Sequence, residues 1–182
     1  MNIFYLDKDP RTCAEQHVDK HVVKMILEYS QLLSTAHRVL DGREWEDTSS
    51  GRRIKRWKLE GEMENLYKAT HVNHPSAVWV RQSEANYRWL AELLSELCKE
   101  YTYRYSKVHK CEYSGLVDLL YVNSPRRIED KEFSEPSIAM PEEYVVKGSS
   151  LESYREYYKR GKKELWGWRG REKPEWVGVG CA

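Results

Sequence analysis

At 182 residues the chain is long enough to bury a real core and short enough that a second domain is not expected. Its 30 Lys and Arg against 29 Asp and Glu leave a net charge of +1, so overall charge announces no polyanionic partner and a nucleic-acid case rests on local clusters. No charged-then-apolar leader opens it and no apolar run approaches the roughly 18 residues of a membrane span, so a soluble, cytoplasmic protein without a membrane partner is expected.

The first apolar run, Ile3 to Leu6, reads as a brief strand or a tucked tail, broken by Asp7-Lys8-Asp9-Pro10. Asp9 or Thr12 can cap a first helix, with Pro10 in its opening turn and Asp41-Gly42 at its end. On a wheel of about 100° per residue, Ala14, Val18, Val22, Met25, Tyr29, Leu32, Leu33 and Ala36 form one apolar face. Beside it His17, His21, Lys24 and Glu28 share a narrow stripe, which places four ionisable groups at the border of the core.

From Arg43 to Thr70 periodicity is poor, and the segment is expected to be a peripheral basic loop. Arg52, Arg53, Lys55, Arg56 and Lys58 surround Trp57, either as a solvated loop or as a phosphate-contacting arm with a stacking ring. The turn His71-Val72-Asn73-His74 precedes Pro75, which opens a second long helix reaching roughly Tyr105. Gln82, Asn86, Glu100 and Arg104 fall on its inward side among Trp79, Leu90, Leu93 and Leu97. A buried polar group without a partner costs on the order of 1–3 kcal/mol, so these four must find partners or face a cavity. Glu100 and Arg104 are spaced to pair with each other.

Lys107 belongs to a basic patch closing that helix, and a third helix is expected near Tyr113 to Tyr121. A long ordered loop, Arg126 to Lys147, leads to Ser149 and Glu152, a capping box for a last helix. The tail carrying Trp166, Trp168 and Arg169 is irregular, basic and aromatic. The expected fold is all-α: a single domain over 1–182 of about four helices with long charged loops, segments 43–70 and 166–182 lying at its periphery. Cys13, Cys98, Cys111 and Cys181 are scattered without a CxxC and read as reduced thiols.

Three readings of the first-helix histidines stand. His17 and His21 at i,i+4 could share a metal, could be structural histidines satisfied by hydrogen bonds, or could serve a metal-free acid–base site. Lys24 on the same stripe would repel a dication, so no cofactor is expected. Desolvated beside imidazoles, Lys24 has the makings of an amine nucleophile, with Glu28 moving protons or stabilising a cation. A plain Lys–Glu surface pair is the bland reading; four of six histidines clustering at 17/21 and 71/74, around Asn73, argue for the site. The six residues His17, His21, Lys24, Glu28, His71 and His74 are expected to converge. Trp57, Trp79, Trp166 and Trp168, with Asn86, Glu100 and the cations Arg52, Arg53, Lys55, Arg56, Arg104, Lys107 and Arg169, would line a face for DNA or a nucleotide.

Asp19 to Met25, reading Asp-Lys-His-Val-Val-Lys-Met, with His74-Pro75, Trp79, Asn86-Tyr87 and Trp89-Leu90, resembles a group of small tailed-phage proteins whose chemistry is uncharacterised. More distantly, Ala14-Glu15-Gln16-His17 and the aromatic-basic Tyr154 to Lys159 are similar to motifs of the phage pyrimidine-dimer DNA glycosylases of the endonuclease V type. That resemblance implies an all-helical enzyme in which an N-terminal amine attacks the glycosidic carbon and β-elimination follows, and it carries over His17. The family's Arg-Glu pair would fall near Val23-Lys24, where neither residue stands, and Glu28 lies about one turn on. Asn2 disfavours removal of Met1, so an amine nucleophile would be Met1 or Lys24. The reading is a metal-free DNA glycosylase/lyase acting on an extruded base. The alternatives are a transferase or His-metal hydrolase on modified nucleotides, and a non-catalytic protein binding a host factor or nucleotide.

Overall fold

A computed structural model describes residues 1–178. The chain is mostly helical, and among the described residues no helix is long and apolar enough to cross a membrane. Asp9 accepts from Thr12 N at 2.8 Å and caps helix α1, Pro10–Gln16, with Pro10 in its first turn.

The first helix is not continuous. At His17 the backbone turns extended (ψ 135°), and α2 runs Asp19–Asp41. Side chains from elsewhere hold the break open by taking the end carbonyls of α1, which a helix terminus leaves without partners. Arg104 donates to Glu15 O and His17 O, each at 2.9 Å, and the Trp168 indole donates to Gln16 O at 2.9 Å. Arg104 also meets the Asp19 carboxylate at 2.8 Å, and Asp19 accepts from Arg169 N as well. Beyond the break the apolar periodicity holds: Val22, Met25, Tyr29, Leu32, Leu33 and Ala36 are all buried.

The charged segment after α2 is the exception to an all-α fold. It forms an antiparallel hairpin, β1 Arg43–Asp47 with β2 Ile54–Lys58, in the register Arg43 to Lys58, Trp45 to Arg56 and Asp47 to Ile54. Alternation in Arg-Glu-Trp-Glu-Asp and Ile-Lys-Arg-Trp-Lys suits a two-faced ribbon, and Glu44 pairs with Lys55 across it at 2.9 Å. Buried Arg38 near the end of α2 anchors the ribbon. Its guanidinium donates to the carbonyls of Trp57, Glu64, Leu66 and Tyr67 and to the Glu64 carboxylate at 2.6 Å. Gly42 makes the joint, since a Cβ there would meet Arg38 O at 2.4 Å and Trp57 Cβ at 2.9 Å.

The second long helix is likewise two, α3 Pro75–Val80 and α4 Glu84–Tyr105, because the Ser83 hydroxyl caps a new start by accepting from Asn86 N. Asn86 then stitches the junction, donating to Trp79 O and Ser134 Oγ and accepting from Ser134 N. In place of one third helix come α5 Lys110–Tyr113 and α6 Leu116–Val122, turned by Gly115 at φ +75°. Ser149 caps α7, Ser150–Glu156, which widens into a π turn over Tyr157–Gly161. A short α8 spans Glu175–Gly178. The core gathers Ile3–Leu6, α1, α2 and α4 with Tyr154 and Tyr158 over them. Cys13, Cys98 and Cys111 are buried free thiols; Cys181 lies outside the described residues.

Candidate functional site

The break at His17 sets the geometry. Instead of continuing the stripe, His17 turns into the core, where its Nδ1 lies 2.7 Å from Cys13 O and its Nε2 3.3 Å from the Tyr29 hydroxyl. A carbonyl only accepts, so Nδ1 carries the proton and Nε2 accepts from the tyrosine, which in turn accepts from Phe4 N at 3.0 Å. Burial pushes this imidazole down to about 4. His21 stacks under Phe4 at 4.1 Å between ring centroids, with Nδ1 2.6 Å from the Tyr158 hydroxyl. Burial, then the neighbouring His17, Lys162 and Lys24, push it down to about 3. Both rings are neutral at pH 7 and lie buried against Phe4, Tyr29 and Tyr158.

Further along α2, one carboxylate collects two amines. Glu28 Oε1 lies 3.1 Å from Lys24 Nζ, and Oε2 lies 3.9 Å from the Met1 amine. Side-chain exposure is 68% for Lys24, 16% for Glu28 and 7% for Met1, so the carboxylate is largely shielded while one amine stays in water. His74, capping α3 by accepting from Ser76 N at Nδ1, is pushed down by burial and by the positive Met1 amine and His71, and raised by Glu28. Its Nε2 therefore carries the N–H when neutral. His71 adopts φ +49°, with Nδ1 2.8 Å from Thr70 Oγ1.

No protein-family model, curated protein or solved structure matches the chain.

The structure thus brings Met1, Lys24 and Glu28 together, with His74 close enough to feel the charges of Met1, Glu28 and His71 and His21 close enough to feel that of Lys24, while His17 is withdrawn into the core. Asn73 and His71 open on a cavity of about 470 Å³ whose other wall is β2, from Ile54 to Trp57. Lys55 and Arg56 are thereby beside the turn, with Arg52 and Arg53 exposed in the hairpin loop. Among the described residues, no three His, Cys, Asp or Glu side chains gather as a metal-sized group.

Other residues expected at the face are engaged within the protein. Trp79 is buried and donates to Ser134 O at 3.0 Å. Glu100 and Arg104 pair at 2.6 Å, and Arg171 adds a second guanidinium to Glu100 at 2.9 Å. Trp166 donates to Tyr158 O, Trp168 to Gln16 O, and Arg169 lies over the Tyr105 ring. Lys107 is exposed past the end of α4. Two features escaped the sequence reading. Trp45 stands 48% exposed on the hairpin, and alternation over residues 43–47 and 54–58 was the signal for it. Arg38 and Arg171 had no local signal, because their partners are distant in the chain.

Proposed function

We propose that the protein is a DNA glycosylase/lyase that attacks the deoxyribose carbon with an amine held at Glu28. The observation that carries this reading is the convergence of the Met1 amine and Lys24 Nζ on one shielded carboxylate. An uncharged amine would bond to C1′ as the C1′–base bond breaks, the base leaving with its electron pair and taking up a proton. Glu28 would accept the proton the amine gives up and would oppose the positive charge that builds on the sugar. The C1′–O4′ bond would then break, O4′ taking up a proton as the nitrogen lone pair forms the C1′–N double bond of a protonated imine, and loss of a proton from C2′ would expel the 3′ phosphate. His74, which feels the charges of both Met1 and Glu28, would donate its Nε2 proton to the leaving base. The resemblance of Ala14 to His17 to the pyrimidine-dimer glycosylases supports the same chemistry, with His17 in a positioning role through Tyr29 and Phe4.

Borohydride reduction tests this directly, by trapping the imine as a protein–DNA adduct on duplexes carrying abasic sites, pyrimidine dimers or modified pyrimidines. An adduct is expected with the wild type, and Glu28→Gln should lower its yield about 100-fold or more, in the range seen on losing a general base. Peptide mapping of the adduct assigns Met1 or Lys24. No adduct on any of these duplexes would overturn the proposal.

A further inference from the structure

The hairpin has two unlike faces. Residues directly opposite in an antiparallel ladder share a face, as do residues two apart along a strand. One face therefore carries Arg43, Trp45 and Asp47 against Lys58, Arg56 and Ile54, and the other carries Glu44 and Glu46 against Trp57 and Lys55. On the first face the only acid, Asp47, is held by Arg56 at 3.4 Å. Arg43 and Lys58 are left directly opposite one another, and among the described residues neither makes an ion pair. Like charges facing across a ladder are destabilising, so the ribbon keeps a repulsive pair that an anion between them would relieve. Glu64, the acid whose charge Lys58 feels, is already bound by Arg38 at 2.6 Å.

Trp45 lies between this cation pair and the hairpin loop, 48% exposed, with Arg56 across from it. It forms one wall of a cleft of about 260 Å³ that also takes in Lys58, Lys68 and two carboxylates already bound by arginines, Asp47 by Arg56 and Glu64 by Arg38. Trp57, the ring central to the sequence reading, lies on the opposite face and is half-buried. An exposed indole flanked by unpaired cations is the chemistry that holds a single nucleic-acid strand: the ring stacks on an unpaired base and the cations hold the phosphates on either side.

We propose that the Trp45 face of the hairpin binds single-stranded DNA, a base stacking on Trp45 with its neighbouring phosphates on Arg43, Lys58 and Lys68. This arm would hold the unpaired segment beside an extruded nucleotide, and it rests on the glycosylase reading for its ligand. Arg52 and Arg53 in the loop extend the track.

Fluorescence anisotropy with a labelled, undamaged single-stranded 15-mer tests it, because no chemistry is needed. Trp45→Ala should weaken binding about 5- to 100-fold, the range for loss of one base stack, and Trp45→Phe should restore most of it. Arg43→Gln with Lys58→Gln should reduce the slope of log affinity against log salt by about 1.4, roughly 0.7 for each phosphate contact on a single strand. Glu46→Gln, on the other face, should bind within twofold of the wild type. Trp45→Ala binding within twofold of the wild type, or a duplex of the same sequence binding tenfold tighter than the strand, would overturn the arm. Strand binding through Trp45 without any borohydride adduct would uphold the arm and refute the chemistry. An adduct together with full affinity in Trp45→Ala would do the reverse.

Discussion

Mild acid should unfold this protein through three histidines. His17, His21 and His37 are buried, and burial holds them at about 4, about 3 and about 4. An imidazole in the unfolded chain titrates near ~6.5. As pH falls below that value the unfolded chain takes up protons that the folded chain refuses until about pH 4. The stability these residues confer is therefore complete above pH 6.5 and is lost as pH drops from 6.5 to about 4 for His17 and His37 and to about 3 for His21. Between pH 7 and pH 5 each should lose about 2 kcal/mol, and the three together about 6 kcal/mol, from 1.36 kcal/mol per unit over roughly 1.5 units. A domain's whole stability is about 5–15 kcal/mol, so the effect is large. Urea unfolding at pH 7.0 and pH 5.0 at matched ionic strength reads it directly. An unchanged midpoint would refute the reasoning, as would an NMR titration in which any of the three rings protonates near pH 6.5 in the folded protein.

Three further outcomes follow from the packing. Arg104→Met should destabilise by about 3–5 kcal/mol, because it leaves His17 O and Glu15 O at the helix break without their donor and strips the buried Glu100 of one of its two guanidinium partners, Arg171 being the other. Adding Glu100→Leu should recover part of that loss, and chemical denaturation of both variants measures it. Gly42→Ala should cost about 1–3 kcal/mol, since the new Cβ collides with Arg38 O and Trp57 Cβ. It should also free the hairpin, seen as faster proteolysis between Arg52 and Lys58 and weaker single-strand binding. Tyr29→Phe should cost about 1–3 kcal/mol for each orphaned partner, Phe4 N and His17 Nε2, measured by thermal unfolding; a loss under 0.5 kcal/mol would contradict the assigned hydrogen bonds.

Much of the helical layout was legible because it is written in short-range terms. The Asp9, Ser149 and Pro75 starts and the apolar face from Val22 to Ala36 depend on residues within a turn or two of each other. The breaks were not legible. The residues around His17 have helical periodicity on both sides, and what opens the chain there is Arg104 and Trp168, which are 87 and 152 residues from the carbonyls they bind. The hairpin was missed for a different reason. Its alternation runs for only five residues per strand in a segment dense with charge, and charge alone reads as a loop.

The sequence by itself determined which residues could form a site: two histidine pairs, an amine and a carboxylate at helical spacing, and a basic segment rich in tryptophan. It also placed Gln82, Asn86, Glu100 and Arg104 inside and in need of partners, which holds for the last three; Gln82 falls in the turn between α3 and α4, where the helical phase is lost, and is exposed. Only the tertiary structure decided who those partners are, because a buried polar group is satisfied by whatever distant atom packing delivers. The same step withdrew His17 into the core and set the Met1 amine against Glu28. It also turned Trp45 rather than Trp57 to the basic face, because an antiparallel register, unlike a composition, assigns every side chain to one side of the ribbon.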